Sequence, residues 1–333
     1  MLEASPLPFI NGVFAYHTTV ALKAAVELDL FSAIAEGVGT AETLAHRIGA
    51  AERGLRILAD FLTVRGYLQK QDGRYQLTPD SATFLDRNSS AYMGSMVEFL
   101  AAPEMLEQAF RDPTAVVRAG GALGLANLAP DNPVWVKFAR AMAPAANRNA
   151  QTIAGLVAAW PAPPGKVLDI AAGHGLFGIL VAKAVPAAQV TAVDWGNVLT
   201  VACENAARLG VADRYRVVAG SAFEVNWGDG YDLALITGFL HHFDAEGCVA
   251  LLRKVRASLA PGGRVLVTEF VPNADRVSPP LPAAFALTML LTTPHGDAYT
   301  AQELEAMALA AGFRGVTTAS LSPSPQTLVE LLC

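Results

Sequence analysis

Apolar residues recur every three to four positions through the first hundred residues of the chain. In "YHTTVALKAAVELDLFSAI", Val20, Ala24, Leu28 and Phe31 fall at helical spacing and predict helical structure. The stretch "TAETLAHRIGAAERGLRILADFLTVRGYLQKQDGRYQLTP" then predicts a short helix capped by Thr40, with Thr43 three residues later, ending at Ile48. Gly49 makes a turn, and a second helix covers residues 52–65. "YLQKQDGRYQLT" predicts a small hairpin turning at Asp72-Gly73. Helix, turn, helix and hairpin together make a winged helix.

The pattern changes twice further on. Residues 118–132, "RAGGALGLANLAPDN", predict a loop, and "PVWVKFARAMAPAANRNAQTIAGLVAAW" predicts helix with a break near Pro144. From Lys166 onward, short β-branched runs ("KVLDIA", "QVTAVD", "YRVVA", "YDLALIT", "RVLVTEF") alternate with helical segments. Continuous apolar strands separated by helices imply a parallel sheet covered on both faces. The last two runs, "FRGVTTASL" and "TLVELL", follow without a helix between them and predict an antiparallel hairpin at one edge. The expected fold is therefore α/β: a Rossmann-like, seven-stranded sheet ending in an antiparallel hairpin, preceded by a mainly helical winged-helix domain. The expected boundary divides residues 1–105 from residues 106–333.

Composition narrows the class. Apolar residues make up 53% of the 333 positions and charged ones 16%, enough for a large core and for an apolar subunit interface in the N-terminal third. No apolar run reaches the ~18 residues a membrane helix needs, and the N-terminus lacks the pattern of a signal peptide, so a cytoplasmic protein with no membrane partner is expected. Cys203, Cys248 and Cys333 are odd in number and far apart, which suits neither a disulfide framework nor a zinc knuckle. A net charge of −6 argues against nucleic acid as a partner. Acids and bases nearly balance across residues 40–80, and the helix that would read a groove carries Leu55, Ile57, Leu58, Phe61 and Leu62. The winged helix is therefore read as a packing or dimerising element.

The candidate chemistry begins at "VLDIAAGHGLFG". Gly173-x-Gly175-x-x-Gly178 joins the first strand to its helix, and Asp194 closes the next strand. That spacing matches the dinucleotide fingerprint of a dehydrogenase, yet any ribose-bearing ligand can use glycines and an acid so placed. Asp169, four residues before Gly173, favours a ligand with a cationic centre over a pyrophosphate. S-adenosylmethionine carries a sulfonium, an ammonium and a ribose. "ASLAPGGRVLVTEF" places a Pro-Gly-Gly turn immediately before the fifth strand.

Taken together, "LDIAAGHG", "AVDW", "GSAF", "LHHFDAEGCVALLRKVRASLAPGGRVLVTEF" and "YTAQELEAMALAAGF" resemble the class I S-adenosylmethionine-dependent methyltransferases. The closer resemblance is to the small-molecule O-methyltransferases with an N-terminal winged-helix dimerisation domain, and it covers nearly the whole chain. It implies S-adenosylmethionine as cofactor, a homodimer, and a hydroxylated aromatic or secondary-metabolite acceptor. Carried over by position, Asp169, Gly173 and Gly175 form the cofactor loop, Asp194 binds the ribose hydroxyls and Trp195 lies by the adenine. In "GSAF", Ser221 stands where the family has an acid, Ala222 follows, and Phe223 flanks the ring. Thr237 ends the fourth strand on the cofactor side.

His241 falls on the family's general base and Glu269 on the acid that orients it. A neutral imidazole suits proton removal from an attacking hydroxyl. A second family acid is replaced by Ala298, with Asp297 beside it. His242 occupies a position where the family has an acid, and is the third catalytic candidate. His241, His242 and His295 also open a metal-assisted alternative, C-methylation of a small α-keto acid. A winged-helix regulator that senses S-adenosylmethionine, or a homologue that binds the cofactor without methylating, remain further alternatives. Tyr16, Met93, Phe138, Met142, Phe285 and Met289 are the expected acceptor pocket, with core packing as the competing reading of each.

Overall fold

A computed structural model describes residues 4–122 and 132–333. The chain packs into two compact units, Met1–Leu106 and Glu107–Cys333. The first unit runs α1 (Leu7–Val13), α2 (Tyr16–Glu27), α3 (Leu30–Ala35), α4 (Ala41–Ile48), α5 (Glu52–Val64), β1 (Leu68–Gln71), β2 (Arg74–Leu77), α6 (Pro79–Phe84) and α7 (Met96–Leu100). Thr40 caps α4 and closes a capping box with Thr43, and Gly49 ends it in the left-handed region. Asp72 and Gly73 both take positive φ, the requirement of a tight hairpin turn between β1 and β2. The α5 face of Leu55, Ala59 and Leu62 is buried. Arg47 pairs with Glu36, and Arg56 and Lys70 with Asp60, so these bases are neutralised within the unit.

The helical stretch through Phe31 consists of two helices. Asp29 takes φ 55° between α2 and α3, and the buried stripe is Ala21, Ala25 and Val26. Val20 and Leu28 face outward, because the left-handed residue at 29 re-aims the chain so that α3 buries Leu30, Phe31 and Ile34.

Helix α8 (Pro103–Arg111) crosses the boundary between the units. The second unit continues with α9 (Pro113–Ala119), α10 (Pro133–Ala158), β3 (Lys166–Ile170), α11 (Leu176–Ala184), β4 (Gln189–Asp194), α12 (Gly196–Arg208), β5 (Tyr215–Ala219), β6 (Tyr231–Thr237), α13 (Ala245–Ser258), β7 (Leu259–Glu269), α14 (Pro280–Thr292), α15 (Ala301–Ala310), β8 (Gly315–Ser320) and β9 (Thr327–Leu332). The expected loop of residues 118–132 falls largely on residues 123–131, outside the described residues. The seven-stranded sheet has the order β5-β4-β3-β6-β7-β9-β8, parallel except for β9, which inserts between β7 and β8. Alternation along the strands feeds two cores. Val167, Leu233 and Leu235 face α10 and α11. Leu168, Ile170, Ala234 and Ile236 face α13 and α15.

Two expectations are corrected here. The predicted break at Pro144 is absent: α10 runs unbroken for 26 residues. The proline removes one backbone donor, but the burial of Ala139, Ala141, Ala150, Ile153 and Val157 on either side holds the helix together. The Pro-Gly-Gly turn does not precede β7 but lies within it. The pairing with β6 jumps from Tyr231–Leu259 to Leu233–Arg264, so residues 260–263 bulge out of the ladder. Among the described residues no helix is long and apolar enough to cross a membrane.

Candidate active site

The site gathers at the carboxyl ends of β3, β4, β6 and β7, where a doubly wound sheet opens its crevice. The loop after β3 carries three left-handed residues, Ala171, Gly173 and Gly175. A Cβ on Gly175 would lie 2.6 Å from the Tyr215 hydroxyl and 2.9 Å from Ala202, so only glycine fits. Gly178, in the first turn of α11, leaves room for its N–H to donate to Asp169 Oδ2 at 3.0 Å; a Cβ there would meet that oxygen at 2.7 Å. Strand alternation puts Asp169 on the α11 side of the sheet, fully buried, with Oδ1 unpartnered among the described residues. Burial pushes its carboxyl up to about 7; the Gly178 N–H opposes the rise and the Asp194 charge adds to it.

Asp194 faces the same loop. Its Oδ2 accepts the Gly173 N–H at 2.8 Å and its Oδ1 the Trp195 N–H at 2.7 Å. Burial raises it to about 6 against those two bonds. Trp195 is half-buried and packs with Ala139, Val198 and Val201. Ser221 Oγ accepts the Phe223 N–H at 3.2 Å. Lys254 of α13, which sequence reasoning passed over, donates to the carbonyls of Ala222 at 2.9 Å and Val225 at 2.7 Å, its ammonium lying 4.1 Å over the Trp227 ring. It thereby pins the turn that carries Ser221, Ala222 and Phe223. Thr237 ends β6 in register with Thr268.

The second half of the site is built around Glu269, the last residue of β7. One carboxylate oxygen accepts the N–H groups of Leu240 at 2.8 Å, Phe239 at 3.0 Å and His241 at 3.4 Å. The other lies 2.6 Å from His241 Nδ1. Both side chains are buried. Four donors therefore converge on one carboxylate, which fixes the imidazole and shapes the 3-10 turn of Leu240–His242. His242 stands 4.4 Å from His241, ring to ring, and meets the Trp135 indole edge-on at 5.5 Å. Its Nδ1 has no partner among the described residues, and burial, with the neighbouring His241, holds it well below the ordinary histidine range. His242 is thus a neutral ring packed beside the dyad.

The remaining candidates divide. Phe285 places its ring edge-on to His241 at 4.9 Å and stacks on Phe270 at 4.2 Å. Phe138 approaches to within 3.9 Å of where a Cβ on Gly173 would sit. Met142 is half-buried on α10, and Met289 is buried on α14. Tyr16 and Met93 belong to the N-terminal unit, Tyr16 half-exposed with its ring 4.3 Å from His17, and Met93 half-buried. His295 is exposed, and among the described residues no group of three histidines, cysteines or carboxylates is placed to hold a metal. The expected gathering of His241, His242 and His295 does not form. The reason is local: Gly296, with no side chain, packs against the backbone of His241 and His242, and His295 beside it points out. Asp297 does not reach the dyad either, because it pairs with Arg276 at 3.1 Å and accepts the Ala298 N–H. Ala298 is buried.

A glycine loop, an acid closing the second strand of the sheet and a buried histidine–carboxylate pair thus stand at the carboxyl edge of one sheet. The chain belongs to the O-methyltransferase family: residues 118–314 match the O-methyltransferase domain and residues 10–87 the O-methyltransferase dimerisation domain. It is 30% identical over 300 residues to the 3-hydroxy-5-methyl-1-naphthoate 3-O-methyltransferase of Streptomyces sahachiroi, covering 86% of this chain and 83% of that one. A crystal structure of a candidate O-methyltransferase from Nostoc punctiforme is 49% identical, with a TM-score of 0.94 over 99% of both chains. Human N-acetylserotonin methyltransferase, solved in complex with S-adenosylmethionine, shares the fold at 20% identity, with a TM-score of 0.82 over 99% of this chain and 98% of that one.

Proposed function

We propose that the protein methylates a hydroxyl group of an aromatic or secondary-metabolite acceptor, with S-adenosylmethionine as donor and His241 as general base. The observation that carries the reading is the 2.6 Å contact between Glu269 and His241 Nδ1. A carboxylate there accepts a hydrogen bond from Nδ1–H and leaves the Nε2 lone pair free to accept a proton from an attacking hydroxyl. It also stabilises the imidazolium that results. The residues around the loop fit the cofactor: Asp194 for the ribose hydroxyls, Trp195, Ala222 and Phe223 for the adenine, and the glycines for close backbone approach. Asp169 acts from beneath the loop, where its unpartnered oxygen offers a negative field to a cationic ligand. When bound, S-adenosylmethionine supplies the electrophilic methyl group. The protein aligns the acceptor oxygen and takes up its proton.

The match to a dimerisation domain supports a homodimer, as do the exposed Leu7, Phe9 and Val13 of α1, at 60%, 76% and 53%. The test is calorimetric titration with S-adenosylhomocysteine against NADH, followed by a screen of hydroxyaryl acceptors with labelled S-adenosylmethionine. Binding of S-adenosylhomocysteine and labelled ether products are expected. NADH binding without S-adenosylhomocysteine binding overturns the reading. His241→Ala should abolish turnover and leave S-adenosylhomocysteine binding intact.

A further inference from the structure

Gln326 stands next to the dyad through an arrangement that the reading above does not use. It immediately precedes β9, whose first residue, Thr327, is in register with Glu269. Asn149, buried on α10, donates from Nδ2 to Gln326 Oε1 at 2.8 Å and to Ser324 Oγ at 2.9 Å. The Gln326 backbone N–H also donates to Ser324 Oγ. These bonds lock the amide: Oε1 is engaged, and the Nε2 donor is turned away from Asn149. The point where a Cβ on Gly238 would sit lies 4.0 Å from Gln326 Nε2 and 3.7 Å from His241 Cε1. Gly238 has φ 63° and no side chain, so no Cβ stands between the imidazole edge and the amide. Nε2 makes no hydrogen bond among the described residues.

We propose that Gln326 is a specificity-determining residue: its amide donates to an oxygen of the acceptor, a carbonyl, carboxylate or ether, carried beside the hydroxyl that is methylated. An amide nitrogen donates and does not accept, so a second hydroxyl is not required, but an oxygen lone pair is. The amide and the Cε1 edge of His241, next to Nε2, flank the same glycine, so the recognised oxygen lies on the acceptor close to the reacting one. Unlike a lysine, the amide adds no charge beside a cationic methyl donor. The same chemistry could serve the carboxylate of the cofactor's methionine portion, and the test separates the two.

The inference rests on the methyltransferase reading and is tested with the full-length protein. Acceptors found in the screen are compared as matched pairs, with the neighbouring oxygen present or replaced by hydrogen. The wild type should prefer the oxygenated member about tenfold or more in kcat/KM, a ratio equivalent to one good hydrogen bond. Gln326→Leu should collapse that ratio towards one, mainly through KM, and leave S-adenosylhomocysteine affinity unchanged. Gln326→Glu, nearly isosteric, should invert the preference for carboxylate-bearing acceptors. An equal loss on both members overturns the proposal in favour of a packing role. Weakened binding of S-adenosylhomocysteine but not of methylthioadenosine overturns it in favour of the cofactor carboxylate. Absence of any methylated acceptor strikes the underlying reading instead.

Discussion

Asp169→Asn isolates the energetic role of a carboxyl placed where water cannot reach it. In the wild type, burial lifts Asp169 from its ordinary value of 3.8 to about 7. In the unfolded chain it titrates near the ordinary value. A group whose folded pKa is raised stabilises the fold fully below the unfolded pKa and loses that contribution as pH climbs to the folded pKa. Here the window is from about pH 4 to about pH 7, above which the curve is flat for this group. Each unit of pKa is about 1.4 kcal/mol, so the full decline is about 4 kcal/mol, and about 3 kcal/mol of it falls between pH 5 and pH 8. Asp194, raised to about 6, adds a decline of the same sign over a narrower window. The amide substitution removes only the Asp169 part. The assay is urea unfolding of wild type and D169N without ligand at about pH 5 and pH 8. The variant should gain on the wild type by about 3 kcal/mol as pH rises, whatever its stability at the lower pH. Parallel behaviour of the two proteins over that range refutes the argument. A ligand bearing an ammonium group should favour the ionised carboxyl. S-adenosylhomocysteine binding near pH 6 should therefore release a proton from the wild type but not from D169N. Calorimetry in two buffers of different ionisation enthalpy reads this directly.

Two further outcomes follow from contacts in the site. Glu269→Gln keeps an acceptor for the backbone N–H groups of Phe239 and Leu240 but offers His241 Nδ1 an amide instead of a carboxylate; kcat should fall at least about 100-fold, with S-adenosylhomocysteine affinity unchanged. Lys254→Met removes both bonds to the Ala222 and Val225 carbonyls; urea unfolding should show a loss of about 1–3 kcal/mol, and calorimetry a weaker S-adenosylhomocysteine complex.

Local chemistry was the most legible part of the chain. The Thr40 cap, the Asp72-Gly73 turn and the apolar strand runs depend on neighbours a few residues apart, and sequence spacing reports those. The Glu269–His241 contact was reached only through the family resemblance, because 28 residues separate the partners and the sheet brings them together. What stayed hidden was non-local. The helical spacing from Val20 to Phe31 gives no sign of the break between α2 and α3, because one left-handed aspartate, Asp29, interrupts a pattern whose period continues through it. Pro144 signalled a break that tertiary burial overrides. His295 is of ligand type, but Gly296 beside it occupies the backbone side of the histidine pair and His295 is exposed. Gln326 carried no signal at all. Its position depends on β9 inserting between β7 and β8, and on an asparagine 177 residues away that sets its amide.

The resemblance places Ala298 where the family has a second acid, and the same logic of charge bears on that position. Once the proposed base has taken up a proton, the dyad holds an imidazolium against one carboxylate in a buried site. A second carboxylate in contact with His241 would leave that enclosure with excess negative charge once the imidazolium has given up its proton, a state burial opposes. Here Ala298 is buried as an apolar side chain, and Asp297 is drawn outward by Arg276, which also pairs with Glu303. His242 is held neutral. At the proposed dyad, the Glu269 carboxyl is met by four donors. On the proposed reading, orientation of the acceptor falls to neutral donors and aromatic faces such as Gln326 and Phe285, and acceptor choice should respond to changes in those two residues more than to changes in surface charge.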